Sequence, residues 1–146
     1  MIVLDTSVFI DAIFRFDSHR SRLAADLFRT AQNAGVSIIE PEIFKIELIG
    51  QLVRRIQKKE AFIIYNAIVS KIEFITIEKL REIAFSVAYD TGCRAIDSYF
   101  IAAAKISRNI LITNDRIMAA NAKKSNIYVY YLVDEFKDAI ERLEKL

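Results

Sequence analysis

Two acidic residues follow apolar runs at places where a folded chain could bring their carboxylates together. Asp5 comes directly after the run Ile2–Leu4, and Asp115 follows the run Ile110–Thr113 after one intervening residue. Both runs read as short buried strands. In a parallel sheet, ligands bind beyond the carboxyl ends of the strands, so both acids would lie at the ligand-binding edge. If the two strands are neighbours, these carboxylates meet.

Two further acids, Asp97 and Glu47, interrupt apolar helical patterns. At one-turn and two-turn spacing from Asp97 stand Phe100, Ile101 and Ala104, which should face the core. Glu47 is the only acid in the largely apolar stretch 43–59. A carboxylate buried without a partner costs several kcal/mol or shifts to its neutral form, whereas one hard cation offsets that cost for several carboxylates. The set of acids therefore predicts a divalent metal site.

Each acid also has a simpler structural explanation. Asp5 and Asp115 could cap the helices that they precede. Asp97 could lie in the first turn of its helix, where the helix dipole favours it, and Glu47 could hydrogen-bond Gln51 one turn on. For each residue alone this explanation is at least as good. The joint occurrence of all the acids where a shared cleft would need them favours the metal site.

The composition is typical of one folded domain. The chain has 146 residues, of which 53% are hydrophobic, with only three Gly and one Pro, so it can bury a core and has no room for long disordered tracts. We expect a single domain over 1–146, including a C-terminal helix at 133–146. The formal net charge of +2 permits contact with an anionic polymer but is not the strongly basic signature of a dedicated nucleic-acid binder.

Single residues and short segments exclude other classes. Cys93, the one cysteine, cannot form an internal disulfide, and no basic segment followed by a long apolar stretch opens the chain. The apolar runs are too short for a bilayer, which needs roughly 20 such residues. His19, the one histidine, excludes a catalytic histidine pair or a multi-histidine zinc cluster. We expect a soluble, cytoplasmic protein with no membrane partner.

Apolar, largely β-branched runs alternate with segments of helical spacing. The predicted strands are 2–4, 36–39, 74–77, 110–113 and 127–132, and the predicted helices are 7–14, 21–33, 42–57, 59–72, 79–89, 97–107, 116–123 and 133–146. Gly35 and Gly92 should each follow a helix end, and Pro41 fits a first helical turn. The alternation predicts an α/β fold, a three-layer α/β/α arrangement with a mostly parallel central sheet.

With these residues in view, the sequence resembles the PIN-domain family, and within it the VapC-like toxin ribonucleases of prokaryotic toxin–antitoxin pairs. Residues 3–11 are similar to the N-terminal motif, an apolar strand ending in Asp followed by a hydroxyl residue. The segment 41–48 resembles the helix that carries the family's characteristic Glu. Residues 95–104 and 111–116 resemble the third and fourth motifs. Four motifs in order at family-like spacing make the resemblance specific.

The resemblance implies a PIN-like fold and endonucleolytic hydrolysis of RNA, leaving a 5′-phosphate, with Mg²⁺ or Mn²⁺ as cofactor. It implies that Asp5, Asp97 and Asp115 are metal ligands, directly or through water, and that Glu47 is a ligand or orients water. The expected supporting residues are Thr6, Thr113 and Asn114. Arg94 and Arg116 flank proposed ligands and are the expected RNA contacts. It further implies a homodimer and a small antitoxin that blocks the acidic cleft.

The sequence departs from the family pattern at a few positions. Ile117 stands where many members carry a further acid, so the resemblance implies one complete metal site and a weaker second one. Ser98 stands where Ala is usual, and Ser7 where Asn is frequent. Asp11 is expected to be a solvated helix residue rather than another ligand.

The same residues argue against two other protein classes. A haloacid-dehalogenase-type phosphatase would need a second Asp two positions after Asp5, where Ser7 stands. A receiver domain would need an Asp at the end of its central strand, but the run 74–77 is followed by Glu78. A non-catalytic PIN-type RNA-binding or regulatory module, and an RNA-processing nuclease outside a toxin–antitoxin pair, stay open as alternatives.

Overall fold

Short strands and helices alternate along the chain in the computed structural model, which describes residues 1–146. The strands are β1 (Ile2–Leu4), β2 (Ile39–Pro41), β3 (Glu73–Ile75), β4 (Ile110–Thr113) and β5 (Val129–Tyr131). The helices are α1 (Thr6–Ile13), α2 (Ser18–Asn33), α3 (Phe44–Val53), α4 (Lys58–Val69), α5 (Ile77–Thr91), α6 (Ala95–Ser107), α7 (Arg116–Lys124) and α8 (Leu132–Glu144).

All strand pairs are parallel, with β1 at the centre. On one side β1 pairs with β4, which pairs with β5. On the other side β2 and β3 form their own ladder, which is joined to β1 by a single bridge between Ile2 and Ile38. Across the molecule the order is β3, β2, β1, β4, β5, so the chain winds outward to β3 and then returns to the far side of β1. The reversal lies between β1 and β4, the place where such sheets bind ligands.

Helices cover both faces of this sheet, giving the predicted three-layer α/β/α fold. Helix α2 packs against both α1 and α8, and α1 and α8 contact β4. Helix α6 pairs with α5 and lies across β1, β2 and β4. Because both faces are covered, β1 and β4 are buried at every position, which is why all their residues except Thr113 are apolar.

The predicted element boundaries hold best at the central strands and worst around Pro41. Strands β1 and β4 have the predicted bounds, and the left-handed Gly35 and Gly92 follow α2 and α5 as expected. The prediction of Pro41 as a first helical turn is wrong: Pro41 ends β2, opposite Ile75, and α3 begins at Phe44. Helix α3 also ends at Val53 rather than at 57, and the strand predicted at 36–39 lies at 39–41.

Pro41 can occupy a strand here because its missing N–H is not needed. The N–H of Glu42 donates to the Ile75 carbonyl at 2.8 Å, so the preceding nitrogen faces away from β3 and towards β1. Strands β1 and β2 have already separated at that level, and no ladder hydrogen bond is lost.

The C-terminal helix packs on the rest of the chain. Helix α8 lies against α2 and buries Ala139 and Leu143, which belong to the same hydrophobic core as β1. None of the helices combines the length and the apolar character that crossing a bilayer requires.

Candidate metal centre

The predicted acids line one cleft at the point where the strand order reverses. Asp5 follows β1, Asp115 follows β4, Asp97 lies in the first turn of α6, and Glu47 lies in the first turn of α3. All four line the same cavity, whose volume is about 280 Å³. The topology therefore brings together carboxylates from four separate segments, as the sequence predicted.

Asp5 does not serve as a helix cap. It occupies the N-cap position of α1, but its side chain makes no capping hydrogen bond. Its Oδ2 instead accepts hydrogen bonds from Ser7 Oγ at 2.6 Å and from Thr113 Oγ1 at 2.8 Å. Burial raises the pKa of Asp5, the two hydroxyl donors oppose that rise, and the negative charges of Asp97 and Asp115 add to it. The two hydroxyl groups therefore fix the Asp5 carboxylate at the wall of the cleft. The capping explanation is wrong for this residue.

Glu47 faces the other acids from α3. Burial and the neighbouring negative charge of Asp5 raise the pKa of Glu47 to about 7. The predicted alternative partner, Gln51, makes no hydrogen bond with it; the Gln51 side chain accepts from Arg55. The buried Thr6 hydroxyl lies near enough to lower the pKa of Glu47 slightly, although it is outside hydrogen-bonding geometry to any group.

Asp97 and Asp115 are joined by the guanidinium of Arg94. Arg94 Nε donates to Asp97 Oδ2 at 3.0 Å, and Nη2 donates to Asp115 Oδ2 at 2.7 Å. The other oxygen of Asp115 accepts from the Met118 N–H at 3.0 Å and caps α7. The capping explanation thus holds for one oxygen of Asp115, while its second oxygen faces the cleft.

Asp97 is 4% exposed, and burial raises its pKa although Arg94 opposes the rise. Its carboxylate bonds only to Arg94 and makes no hydrogen bond with the backbone of α6. A place in the first helical turn therefore does not account for this residue by itself.

The carboxylates do not form a preformed cage, since no three of them are arranged as ligands of one ion. Arg94 pairs with Asp97 and Asp115, and Asp5 Oδ2 accepts hydrogen bonds from two hydroxyl groups. The donor set still fits a hard cation, because it consists of carboxylate oxygens, as Mg²⁺ and Mn²⁺ prefer. The pKa values of Asp5, Glu47 and Asp97 are raised by burial and mutual repulsion, a strain that a cation would relieve.

The supporting residues predicted from sequence connect the two strand ends. Thr113 Oγ1 donates to Asp5 and accepts from the Asp115 N–H at 2.9 Å, so one hydroxyl fixes both acids. Asn114 donates its N–H to Ser7 Oγ at 3.1 Å, and its Nδ2 donates to Asp11 Oδ2 at 2.7 Å. Thr113 and Asn114 are buried, as this role requires.

Asp11 and Arg20 were not predicted to belong to the site. The expectation that Asp11 is a solvated helix residue is wrong: its side chain is 18% exposed and lines the cleft. Arg20 Nε donates to Asp11 Oδ2 at 3.1 Å, and Nη2 donates to the Asn114 carbonyl at 3.0 Å. The available signal was the one-turn spacing of Ser7 and Asp11, which places both on one face of α1.

Glu40 was also missed, and it lies behind the acids rather than in the cleft. It is fully buried, and its Oε1 accepts the Leu4 N–H at 2.8 Å where β1 and β2 separate. Burial raises the pKa of Glu40 well above its usual value, and the charges of Asp5 and Glu47 add to the rise. The signal in the sequence was an acid between the predicted strand 36–39 and Pro41.

The two arginines expected to contact RNA occupy different places. Arg94 lies in the cleft, and its side chain is 71% exposed. Arg116 lies outside the cleft, where it is paired with Asp134 at 3.7 Å and stacked over the Tyr131 ring at 5.2 Å. Ile117, at the position of the missing acid, is an exposed side chain.

Comparison with known proteins places this architecture in a family. The chain resembles the crystal structure of PAE2754 from Pyrobaculum aerophilum, with a TM-score of 0.64 and 18% identity, covering 99% of this chain and 97% of that one. At this identity the likeness concerns the fold alone. No curated protein matches the sequence. The PIN domain family matches residues 2–124, a range that contains Asp5, Glu47, Asp97 and Asp115. The chain belongs to the PIN-domain family, whose members are typically nucleases.

Proposed function

We propose that the protein is a Mg²⁺- or Mn²⁺-dependent endoribonuclease that hydrolyses phosphodiester bonds of RNA. The observation that carries this proposal is the convergence of Asp5, Glu47, Asp97 and Asp115 on one cleft at the switch point of the sheet. Burying several carboxylates close together destabilises the folded state unless a bound ligand compensates their charge. A divalent cation is the ligand that such a set fits.

In the proposed reaction, Asp5, Asp97 and Asp115 hold the metal, directly or through water. The bound ion would activate a water molecule and neutralise charge on the scissile phosphate. The Thr113 hydroxyl donates to the Asp5 carboxylate and accepts the backbone N–H of Asp115, so it holds the Asp5 side chain and the Asp115 backbone in place. Glu47, which lines the same cavity as the proposed ligands, would orient the attacking water and accept its proton at a carboxylate oxygen.

Arg94 contributes the cationic part of the proposed site. Its guanidinium reaches Asp97 and Asp115, and most of its side chain is open to solvent. An arginine in this position can exchange a carboxylate for a phosphate oxygen, because both accept the same planar pair of N–H donors. Arg94 is therefore the proposed phosphate contact next to the metal.

The finer proposal is a VapC-like toxin that forms a homodimer and is blocked by a small antitoxin. Membership of the PIN family and the four motifs in their order support it. The cleft also offers an inhibitor protein an obvious target, since a basic side chain inserted there would pair with the acids. Expression of the chain alone should arrest growth of a host cell, while Asp97→Asn should not. Normal growth alongside ribonuclease activity of the purified protein would instead favour an RNA-processing nuclease outside such a pair.

The nuclease proposal is tested by cleavage of an RNA mixture with Mn²⁺ or with a chelator. The native protein should cleave RNA with Mn²⁺ and not with chelator, and Asp97→Asn should lose about a hundredfold or more in rate. Asp134→Asn, which removes an exposed acid outside the cleft, is the matched control. Activity that survives chelation and Asp97→Asn alike would contradict metal catalysis. RNA binding without any cleavage would favour the non-catalytic PIN module.

A further inference from the structure

Arg20, Asp11 and Asn114 form a closed ring of hydrogen bonds at one side of the acid cleft, which we call the Arg20 ring. Arg20 Nε donates to Asp11 Oδ2 at 3.1 Å, and Arg20 Nη2 donates to the Asn114 carbonyl at 3.0 Å. Asn114 Nδ2 in turn donates to the same Asp11 oxygen at 2.7 Å. The ring therefore joins α1, α2 and the turn between β4 and α7.

Asn114 is held to α1 and α2 through most of its polar groups. Its N–H donates to Ser7 Oγ at 3.1 Å, its carbonyl accepts from Arg20, and its side-chain Nδ2 donates to Asp11. The side-chain Oδ1 is buried and makes no hydrogen bond, so the bond to Asp11 alone sets the orientation of this amide. The position of Asn114 thus depends on the ring.

Two of the proposed metal ligands depend in turn on Asn114. Asp115 is the next residue in the chain, so its backbone follows any shift of Asn114. The Ser7 hydroxyl that accepts the Asn114 N–H also donates to Asp5 Oδ2 at 2.6 Å. A displacement of Asn114 would therefore disturb the support of Asp5 and of Asp115 together.

Arg20 is itself anchored to the body of the fold. It lies in the first turn of α2, where Asp17 caps the helix and accepts the backbone N–H of Arg20 at 3.1 Å. Helix α2 packs on α1 and α8 and buries Ala24 and Leu27 in the hydrophobic core. The ring therefore fixes the Asn114 turn to a helix of the core.

We infer that Arg20 is a positioning residue for the metal site. It acts through Asp11 and Asn114, without touching the metal or the RNA. Because Asp5 and Asp115 are proposed ligands, this role of Arg20 rests on the proposed metal-dependent function. Groups that orient metal ligands from behind typically change metal affinity by about 10- to 100-fold when they are removed.

The charge of Arg20 and its positioning role predict opposite changes in metal affinity. Arg20 lines the acid cleft, so removal of its charge alone would leave the cleft more negative and strengthen Mn²⁺ binding. Loss of the ring would weaken Mn²⁺ binding, since Asp5 and Asp115 would no longer be held in a fixed arrangement. The direction of the change in Arg20→Ala therefore distinguishes the two.

Three ring variants and one control test the role of Arg20. Arg20→Ala removes the ring and the charge, whereas Arg20→Lys keeps the charge but replaces the planar set of N–H donors by one ammonium group. The double variant Asp11→Ala/Arg20→Ala removes one acid and one base, so the formal charge of the cleft is unchanged. Arg22→Ala removes an exposed arginine of α2 outside the cleft and is the matched control.

The measurements are Mn²⁺ titration calorimetry well below the unfolding midpoint, thermal unfolding, and kcat and KM for RNA cleavage at saturating Mn²⁺. Arg20→Lys and the double variant should bind Mn²⁺ about tenfold more weakly, and Arg20→Ala about threefold more weakly because the lost charge offsets part of the effect. In all three, kcat should fall about tenfold while KM changes less than about twofold. Arg22→Ala should match the native protein in each measurement.

Unchanged or tighter Mn²⁺ binding in Arg20→Ala and Arg20→Lys would overturn the positioning role. A lower unfolding midpoint with unchanged Mn²⁺ affinity and kcat would also overturn it, since Arg20 would then only stabilise the fold. A raised KM that Arg20→Lys restores would overturn it as well, because it would make Arg20 a phosphate contact. If Arg20→Ala does not fold, the result with Arg20→Lys decides.

Failure of the proposed ribonuclease function gives a different pattern from failure of the positioning role. In that case the native protein binds Mn²⁺ and the ring variants bind it more weakly, as expected for Arg20, but no phosphodiester bond of RNA is cut by any of the proteins.

Discussion

At the scale of single residues, the acids could be predicted from the sequence but their hydrogen-bond partners could not. Asp5 and Asp115 follow apolar runs, and Asp97 and Glu47 interrupt apolar helical faces. That Thr113 would hold two acids depends on the register of β1 against β4, which pairs Leu4 with Ile112. The chain has many hydroxyl side chains, and only the register of β1 against β4 shows that Thr113 is the one next to both acids.

Arg94 is predicted to compete with the metal for Asp97 and Asp115. Replacing it by alanine removes a cation from the cleft and leaves the carboxylates more negative. Arg94→Ala should therefore bind Mn²⁺ about two- to fivefold more tightly in a calorimetric titration, the range expected for a largely exposed ion pair. The matched control is Arg22→Ala, an exposed arginine of α2 outside the cleft. Equal or weaker Mn²⁺ binding by Arg94→Ala would contradict this role.

The raised pKa values predict an unusual dependence of stability on pH. Glu47 has a folded-state pKa of about 7 against an ordinary value of 4.5, so the folded protein keeps a proton that the unfolded chain releases. This stabilisation is complete below the unfolded pKa and is lost as the pH rises through about 7. The raised pKa values of Asp5 and Asp97 act in the same direction.

In chelator, the thermal unfolding midpoint should therefore fall as the pH rises from about 4.5 to about 7 and level off above that, and Mn²⁺ should raise it most at the higher pH. Glu47→Gln, which mimics the protonated side chain, should make the curve flatter. A midpoint that rises with pH in the native protein, or a Glu47→Gln curve parallel to it, would refute the assignment.

At the scale of elements, the bounds of the largely apolar strands β1 and β4 could be predicted from sequence, whereas those of β2 could not. β1 and β4 are covered on both faces, so their apolar runs mark their bounds. β2 contains Glu40 and Pro41, which read as a loop and a helix start. Both fit a strand only because β1 and β2 separate there, and Glu40 accepts the Leu4 N–H across the gap. That separation is a tertiary feature without a local signal.

Glu40 should stabilise the end of β1 and, through it, the position of Asp5. Glu40→Ala leaves the buried N–H of Leu4 without an acceptor, and it should reduce the free energy of unfolding by about 1–3 kcal/mol in urea denaturation. Glu40→Gln keeps an acceptor oxygen and should lose clearly less. If the two variants lose the same stability, the hydrogen bond to Leu4 is not what Glu40 contributes.

At the scale of the whole molecule, the alternation of strands and helices predicted the layers but not the strand order. The order β3, β2, β1, β4, β5 sets β1 beside β4, and with it Asp5 beside Asp115. The cavity between α3 and α6 depends equally on how these two distant helices meet.

The central claim is that the converging acids hold a divalent metal, and calorimetric titration with Mn²⁺ at about pH 8 tests it most directly, because Glu47 is then ionised. The native protein should bind Mn²⁺ saturably, and the affinity of Asp97→Asn for Mn²⁺ should be lower by about tenfold or more. Asp134→Asn, outside the cleft, should match the native protein. Absence of saturable binding by the native protein, or equal affinity in Asp97→Asn, would contradict the claim.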